Sequence, residues 1–216
     1  MKKIVAINGS PRTNFNTATL IHEAAEGARE AGAEVQAFDL YRLEKYSGCV
    51  SCFGCKLDAN KGRCVIKDAL APVLETIRSA DGLILGTPNY LSEVSAGFRA
   101  LYERLVFQSL TYQAENRCCN THKIPVLFIM TSNAPKEIYE RMGYDEMLKR
   151  YENTLTAFVG DTKIYVADNT LQVKNYDRFN WTQFDVETKK KRHEEVFPLE
   201  RQEVFALGKE LVDKPW

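Results

Sequence analysis

The 216-residue chain balances 29 basic against 29 acidic residues at a pI near 6.8, which offers nothing to a nucleic-acid backbone or an anionic membrane surface. Its longest apolar runs, such as Pro125–Met130, are strand-sized, so no membrane span is expected. The length suits one doubly wound domain with an appendage, and Met1-Lys2-Lys3 runs straight into an apolar strand with no room for a signal peptide, which predicts a cytoplasmic protein.

The first strand, Ile4-Val5-Ala6-Ile7, empties into Asn8-Gly9-Ser10-Pro11-Arg12-Thr13-Asn14-Phe15-Asn16-Thr17 and then a helix from about Thr17 to Ala31. Leu20, Ile21, Ala24, Ala25 and Ala28 form the apolar stripe of that helix, and Gly32 stops it. A loop of glycine, hydroxyls, amides and one arginine between a buried strand and a helix N-terminus holds phosphate, because free N–H groups and the helix dipole both favour a dianion. There is no G-x-G-x-x-G dinucleotide turn and no Gly-Lys-Ser/Thr triphosphate loop. Ser10, Asn14, Asn16 and Thr17 suit one terminal phosphate, and FMN is its obvious bearer. The competing account is a turn at Ser10-Pro11 and a helix cap at Asn16 or Thr17. A cap needs a single polar residue, and this loop supplies many more.

Glu34–Leu40 is expected as a second strand, followed by a cysteine-rich loop over residues 41–66. A helix over about Asp68–Ala80 turns Leu70, Val73, Leu74 and Ile77 to one side. Gly82-Leu83-Ile84-Leu85-Gly86 has no polar face, as a central parallel strand requires. It leads into Thr87-Pro88-Asn89-Tyr90 and a helix marked by Phe98, Leu101, Tyr102 and Leu105. Ile124–Met130 is the fourth strand, closing in Thr131-Ser132-Asn133; a helix near Asp145–Phe158 leads to the fifth, Asp161–Ala167. Residues 1–167 thus form one domain. The extension 168–216 holds an irregular aromatic stretch, a charged helix, Pro198 and a final helix with Val204, Leu207 and Leu211 inward. Its basic run, Lys189-Lys190-Lys191-Arg192, is expected on a solvated face. Tyr176, Phe179, Trp181 and Phe184 fit core packing, a cover for the site or a subunit contact, packing being the simplest use.

In a five-stranded parallel sheet of order 2-1-3-4-5, the loops after strands one, three and four meet at the carboxyl edge. Thr87-Pro88-Asn89-Tyr90 then fits the flat flavin ring: proline stiffens the loop, Asn89 bonds in either direction and Tyr90 offers a flat surface. With hydride chemistry on the flavin N5, no protein acid or nucleophile is needed, and His22, His122 and His193 have no catalytic context.

These residues resemble the NAD(P)H-dependent FMN reductases and iron–sulfur flavoproteins of the flavodoxin-like superfamily. The likeness is carried by Gly9-Ser10-Pro11-Arg12…Asn16-Thr17, by Cys49–Cys64 followed by Val65-Ile66-Lys67-Asp68, and by Gly86-Thr87-Pro88-Asn89-Tyr90. Ser95-Ala96-Gly97-Phe98-Arg99…Glu103-Arg104 is similar to the family's Ser-Gly-x-x-Lys…Asp-Arg helix. The resemblance spans about residues 2–170. It implies a flavodoxin-like fold, non-covalent FMN, and a homodimer or homotetramer in which a neighbouring subunit helps cover the flavin. Phosphate-binding positions carry over to Ser10, Arg12, Asn14, Asn16 and Thr17. Ring-contacting positions carry over to Pro88, Asn89 and Tyr90, with Thr131, Ser132 and Asn133 beside them. Phe15 stands where relatives often have glycine, and it bears on the Asn14 contact. The Thr-x-Thr-Gly-x-Thr loop and acidic balance of true flavodoxins are absent, which favours an enzyme over an electron carrier.

Cys49, Cys52, Cys55 and Cys64 follow a C-x2-C-x2-C-x8-C spacing. Three fates stay open: a [4Fe–4S] cluster, a zinc ion, or free and redox-active thiols. Cys118-Cys119 is read as incidental. The expected activity is transfer of electrons from NAD(P)H through FMN to a quinone, flavin, nitroaromatic or metal ion, in ping-pong order. The rivals are an iron–sulfur flavoprotein relaying electrons from a ferredoxin-like partner, and a flavin or thiol redox sensor.

Overall fold

A computed structural model describes residues 1–216 except Phe184 and Lys214. Five strands, β1 (Lys3–Asn8), β2 (Glu34–Asp39), β3 (Gly82–Pro88), β4 (Val126–Thr131) and β5 (Thr162–Ala167), pair in parallel in the order β2-β1-β3-β4-β5. This is the expected doubly wound, flavodoxin-like topology. The helices are α1 (Asn16–Glu30), α2 (Leu70–Arg78), α3 (Ala96–Ser109), α4 (Tyr144–Phe158), α5 (Val186–Glu195) and α6 (Phe197–Asp213).

The apolar runs are two-sided because successive side chains of a strand leave opposite faces. Val5, Ile7, Leu83, Leu85, Phe128 and Met130 pack with the stripes of α2, α3 and α4. Ile4, Ala6, Ile84, Leu127 and Ile129 pack with α1 and α6. The outer strand β2 keeps exposed residues along its length, as an edge allows.

The C-terminal extension docks closely. A Cβ placed on Gly27 would lie 2.0 Å from the Phe205 carbonyl oxygen, and one on Gly208 would lie 1.9 Å from that of Ala24. Two glycines thus let α1 and α6 touch backbone to backbone. Pro198 is the second residue of α6, where its missing N–H costs no helical hydrogen bond.

The basic run departs from expectation. Lys190 and Lys191 are solvated, whereas Lys189 is 4% exposed and Arg192 is largely covered, paired with Asp168 and Glu200. The solvated-face pattern fails because α6 and the β4 and β5 loops supply oxygen acceptors on that side. Of the tail aromatics, Tyr176 is buried, Phe179 and Trp181 stack at 4.4 Å and stay half-exposed, and Phe184 lies outside the described residues.

Candidate functional site

The loop after β1 is tied to β3 and α3 before it reaches the site. Gly9 donates its N–H to the Gly86 carbonyl at 2.7 Å, while its own carbonyl accepts from the Ser95 hydroxyl. That hydroxyl also caps α3 by accepting from the Phe98 N–H, and the Ser95 N–H donates to Thr87 Oγ1 at 3.0 Å. A Cβ on Gly9 would sit 2.8 Å from both the Gly86 oxygen and Phe98 Cβ, so the approach admits only glycine.

Beyond Gly9, Ser10 makes a local turn: its N–H donates to Asn8 Oδ1 and its hydroxyl accepts from the Arg12 N–H. The first turn of α1 has no side-chain cap and no acidic residue. Asn16 and Thr17 spend their side chains elsewhere. Asn16 Nδ2 donates to the Leu171 carbonyl at 2.7 Å, and Thr17 Oγ1 lies 2.7 Å from Thr131 Oγ1. Capping therefore does not explain these polar residues, and the positive end of the helix dipole faces the loop without an anion of the protein's own.

The loops after β1, β3 and β4 enclose a cleft of about 500 Å³. Ser10, Arg12, Asn16 and Thr17 line it from the first loop, Pro88, Asn89 and Tyr90 from the second, and Thr131, Ser132 and Asn133 from the third. Asn14 does not join them; it is exposed, and Phe15 takes the lining place with the Arg12 guanidinium 4.2 Å above its ring. Among the described lining residues Arg12 is the charged one and none is acidic. Burial pushes the Tyr90 phenol up, with Arg12 pulling it back, so the phenol stays neutral at physiological pH. Asn133 Oδ1 is buried without a hydrogen-bond partner, an acceptor aimed at nothing the protein supplies.

Thr170, Leu171 and Gln172 also line the cleft, beyond the residues expected from the loops after β1, β3 and β4. They are held by the β4 loop: the Thr170 N–H donates to the Ser132 carbonyl at 2.9 Å, and the Asn169 N–H to that of Ala134 at 2.9 Å. The Arg12 guanidinium donates to the Gln172 carbonyl. The signal was topological, since the loop after β5 must leave the same sheet edge beside the loop after β4. Leu91 and Tyr144 complete the wall. Leu91 and Ser92 both have left-handed backbones, φ 53° and 67°, in a tight reversal closed by Tyr90 and Glu93. That turn leaves Leu91 93% exposed at the rim.

The cysteine loop is anchored separately. Arg104 of α3, fully buried, donates to both Asp68 oxygens at 2.6 and 2.7 Å, to the Ile66 carbonyl at 3.1 Å and to Cys64 Sγ at 3.3 Å. Burial alone would raise the Asp68 carboxyl; Arg104 and the N–H groups of Ser47 and Leu70 outweigh it and hold the carboxyl below its ordinary range. Glu103 accepts the Cys49 N–H. Cys49, Cys52, Cys55 and Cys64 all line one cavity of about 10 Å³, roughly the room of one water. Among the described residues no three His, Cys, Asp or Glu side chains are arranged to hold a metal ion. The four thiols are thus gathered around one small cavity.

No helix among the described residues is long and apolar enough to cross a membrane. Residues 2–137 match the family model described as NADPH-dependent FMN reductase. An iron–sulfur flavoprotein of Methanocaldococcus jannaschii is 34% identical over 115 residues, 53% of this chain and 58% of that protein. Another from Methanosarcina thermophila is 35% identical over 104 residues, 48% of this chain and 52% of that protein. The chain thus spans little more than half the length of these curated relatives. By fold it is similar to an NAD(P)H:quinone oxidoreductase from Methanothermobacter marburgensis (TM-score 0.70, 15% identity, 97% of this chain and 96% of that one). An azoreductase from Bacillus anthracis str. Sterne gives a TM-score of 0.70 at 15% identity, covering 97% of this chain and all of that one (100%). With the sheet order and the loop sequence at its carboxyl edge in accord with that match, the chain belongs to the NADPH-dependent FMN reductase family.

Proposed function

We propose that the cleft binds FMN and that the protein is an oxidoreductase passing electrons from NAD(P)H to a small acceptor such as a quinone, a flavin, a nitroaromatic or a metal ion. The carrying observation is a 500 Å³ cleft, free of carboxylates among its described residues, where an uncapped helix N-terminus meets a buried acceptor that has no partner. Such a wall fits a ligand with an anion at one end and an N–H donor at the other, as FMN has.

Ser10, Asn16, Thr17 and the first turn of α1 would hold the phosphate, with Arg12 at the rim. Pro88, Asn89 and Tyr90 would face the ring from one side, and Thr131, Ser132 and Asn133 from the other. FMN, when bound, supplies hydride acceptance and return at N5. The protein orients it: the Thr17–Thr131 contact and the Asn89 N–H to Thr131 carbonyl bond of 2.8 Å keep the three loops in fixed relation. Nicotinamide and acceptor would use the open side of the cleft in turn. The same reading has two or four copies associate, with the exposed Leu91 as a surface that a second copy would cover. The test is a titration of the purified chain with FMN, followed by NAD(P)H oxidation with and without a quinone. Absence of binding by both calorimetry and fluorescence quenching would sink the proposal.

An iron–sulfur relay is the second reading, favoured by the four cysteines lining one cavity. The flavin site is built from other loops and does not depend on it. Near-stoichiometric iron and sulfide in anaerobically purified protein would restore the relay.

A further inference from the structure

Helix α5 has the sequence Val-Glu-Thr-Lys-Lys-Lys-Arg-His-Glu-Glu, and the residue it buries is Lys189. An amphipathic helix docks through apolar side chains, whereas this one docks through an ammonium group. Burying an ammonium is costly unless it is hydrogen-bonded. Lys189 Nζ donates to Asn169 Oδ1 at 2.7 Å, to the Asn133 carbonyl at 2.9 Å and to the Thr170 carbonyl at 3.4 Å. Asn133 and Thr170 line the cleft, and Asn133 also holds the buried Oδ1 without a partner. One turn along α5, Arg192 binds Asp168 at 3.1 Å and Glu200 at 2.7 Å, so the helix grips the same wall twice. The extension therefore sets a positive charge behind the wall of the cleft that Asn133 and Thr170 form.

Resting on the FMN reading, we propose that Lys189 is a positioning residue that holds the Asn133 wall and makes the cleft favour reduced over oxidised FMN. Hydride transfer from NAD(P)H carries two electrons and one proton, leaving NAD(P)+ behind and one added negative charge in the cleft. A cation fixed behind the wall stabilises that charge, and a preorganised one does so without reorganising. A purely structural lysine would support both forms of FMN alike.

The experiment measures dissociation constants of oxidised FMN and of anaerobically reduced FMN for the wild type, Lys189→Gln and Lys189→Arg. Lys189→Gln is expected to hold oxidised FMN within about 3-fold and to lose about 10-fold for reduced FMN, a midpoint about 15–30 mV more negative for a two-electron couple. Lys189→Arg keeps the wild-type ratio. Lys189→Met, which retains the bulk of the stem, gives the same comparison where the glutamine variant fails to fold. Equal weakening of both forms, or no change in either, would overturn the inference and leave the FMN reading intact. Wild-type protein that binds neither form would overturn the FMN reading, and the inference with it.

Discussion

Two loop systems at the carboxyl edge of one sheet, the cleft after β1, β3 and β4 and the cysteine loop after β2, are equally rich in reactive residue types and end up unlike. In the cleft, hydrogen bonds run around the rim, Ser95 to Gly9, Thr17 to Thr131, Thr170 to Ser132, and the middle stays open at about 500 Å³. In the cysteine loop the strong contacts run through the middle. Arg104 reaches across to Asp68, Ile66 and Cys64, and the four thiols share about 10 Å³. Residue chemistry makes a site available; whether a hole exists depends on where the tethers lie.

The largest test of this contrast is removal of the central tether. Arg104→Met should destabilise the protein by about 3–5 kcal/mol in urea unfolding, because Asp68 is left charged and unpaired in a covered position. FMN affinity of the protein that remains folded should change far less, since Arg104 does not line the cleft. A comparable loss of FMN affinity would mean that the two regions are one coupled unit.

Gly9→Ala acts on the rim. Its Cβ must displace the Gly86 carbonyl or Phe98, a strain of about 1–3 kcal/mol. Here the expected losses of stability and of FMN affinity come together, read by thermal melting and calorimetry on the same sample. Thr17→Val removes one bond between the first and third loops; about 1 kcal/mol of stability is expected to go, with a measurable weakening of FMN.

A pH series sharpens the role of the extension. Burial pushes the Lys189 ammonium down to about 8 from its ordinary 10.5, Arg192 adding to the effect and Asp168 opposing it. Between those two values the unfolded chain holds a proton that the folded chain has released, so folding gains as pH rises. Relative to Lys189→Met, the wild type should therefore gain stability from pH 8 to 10.5 in urea unfolding and show a flat difference below pH 8. The smallest effect is expected at Asn14, whose alanine variant should bind FMN within about 2-fold of wild type while Asn16→Ala loses about 10-fold. Equal losses at the two positions would place Asn14 back in the site.

Much of this was legible in the chain. The apolar runs of β1, β3 and β4 and the stripes of α1, α2 and α3 forecast their burial, because periodicity records contact with an adjacent layer. The polar loops were recognisable because glycine, proline and hydroxyl residues in short turns have few other uses. Asn14 and Asn16 are two residues apart with the same side chain, and nothing local says that one faces Leu171 and the other solvent. Phe15 decides it, by occupying the lining under Arg12.

Local pattern and handedness suffice for the alternation of strands and helices, the sheet that follows from it and the edge at which the polar loops emerge. It takes the packed fold to bring Thr170, Leu171 and Gln172 to the cleft, to bury Lys189 behind it and to close the cysteines on one small cavity. Those outcomes depend on how a segment more than 150 residues away docks against the first loop, with bonds such as Asn16 to Leu171 spanning 155 positions. Local propensity carries no information about partners at that separation, because their contact is set by the packing of the whole core.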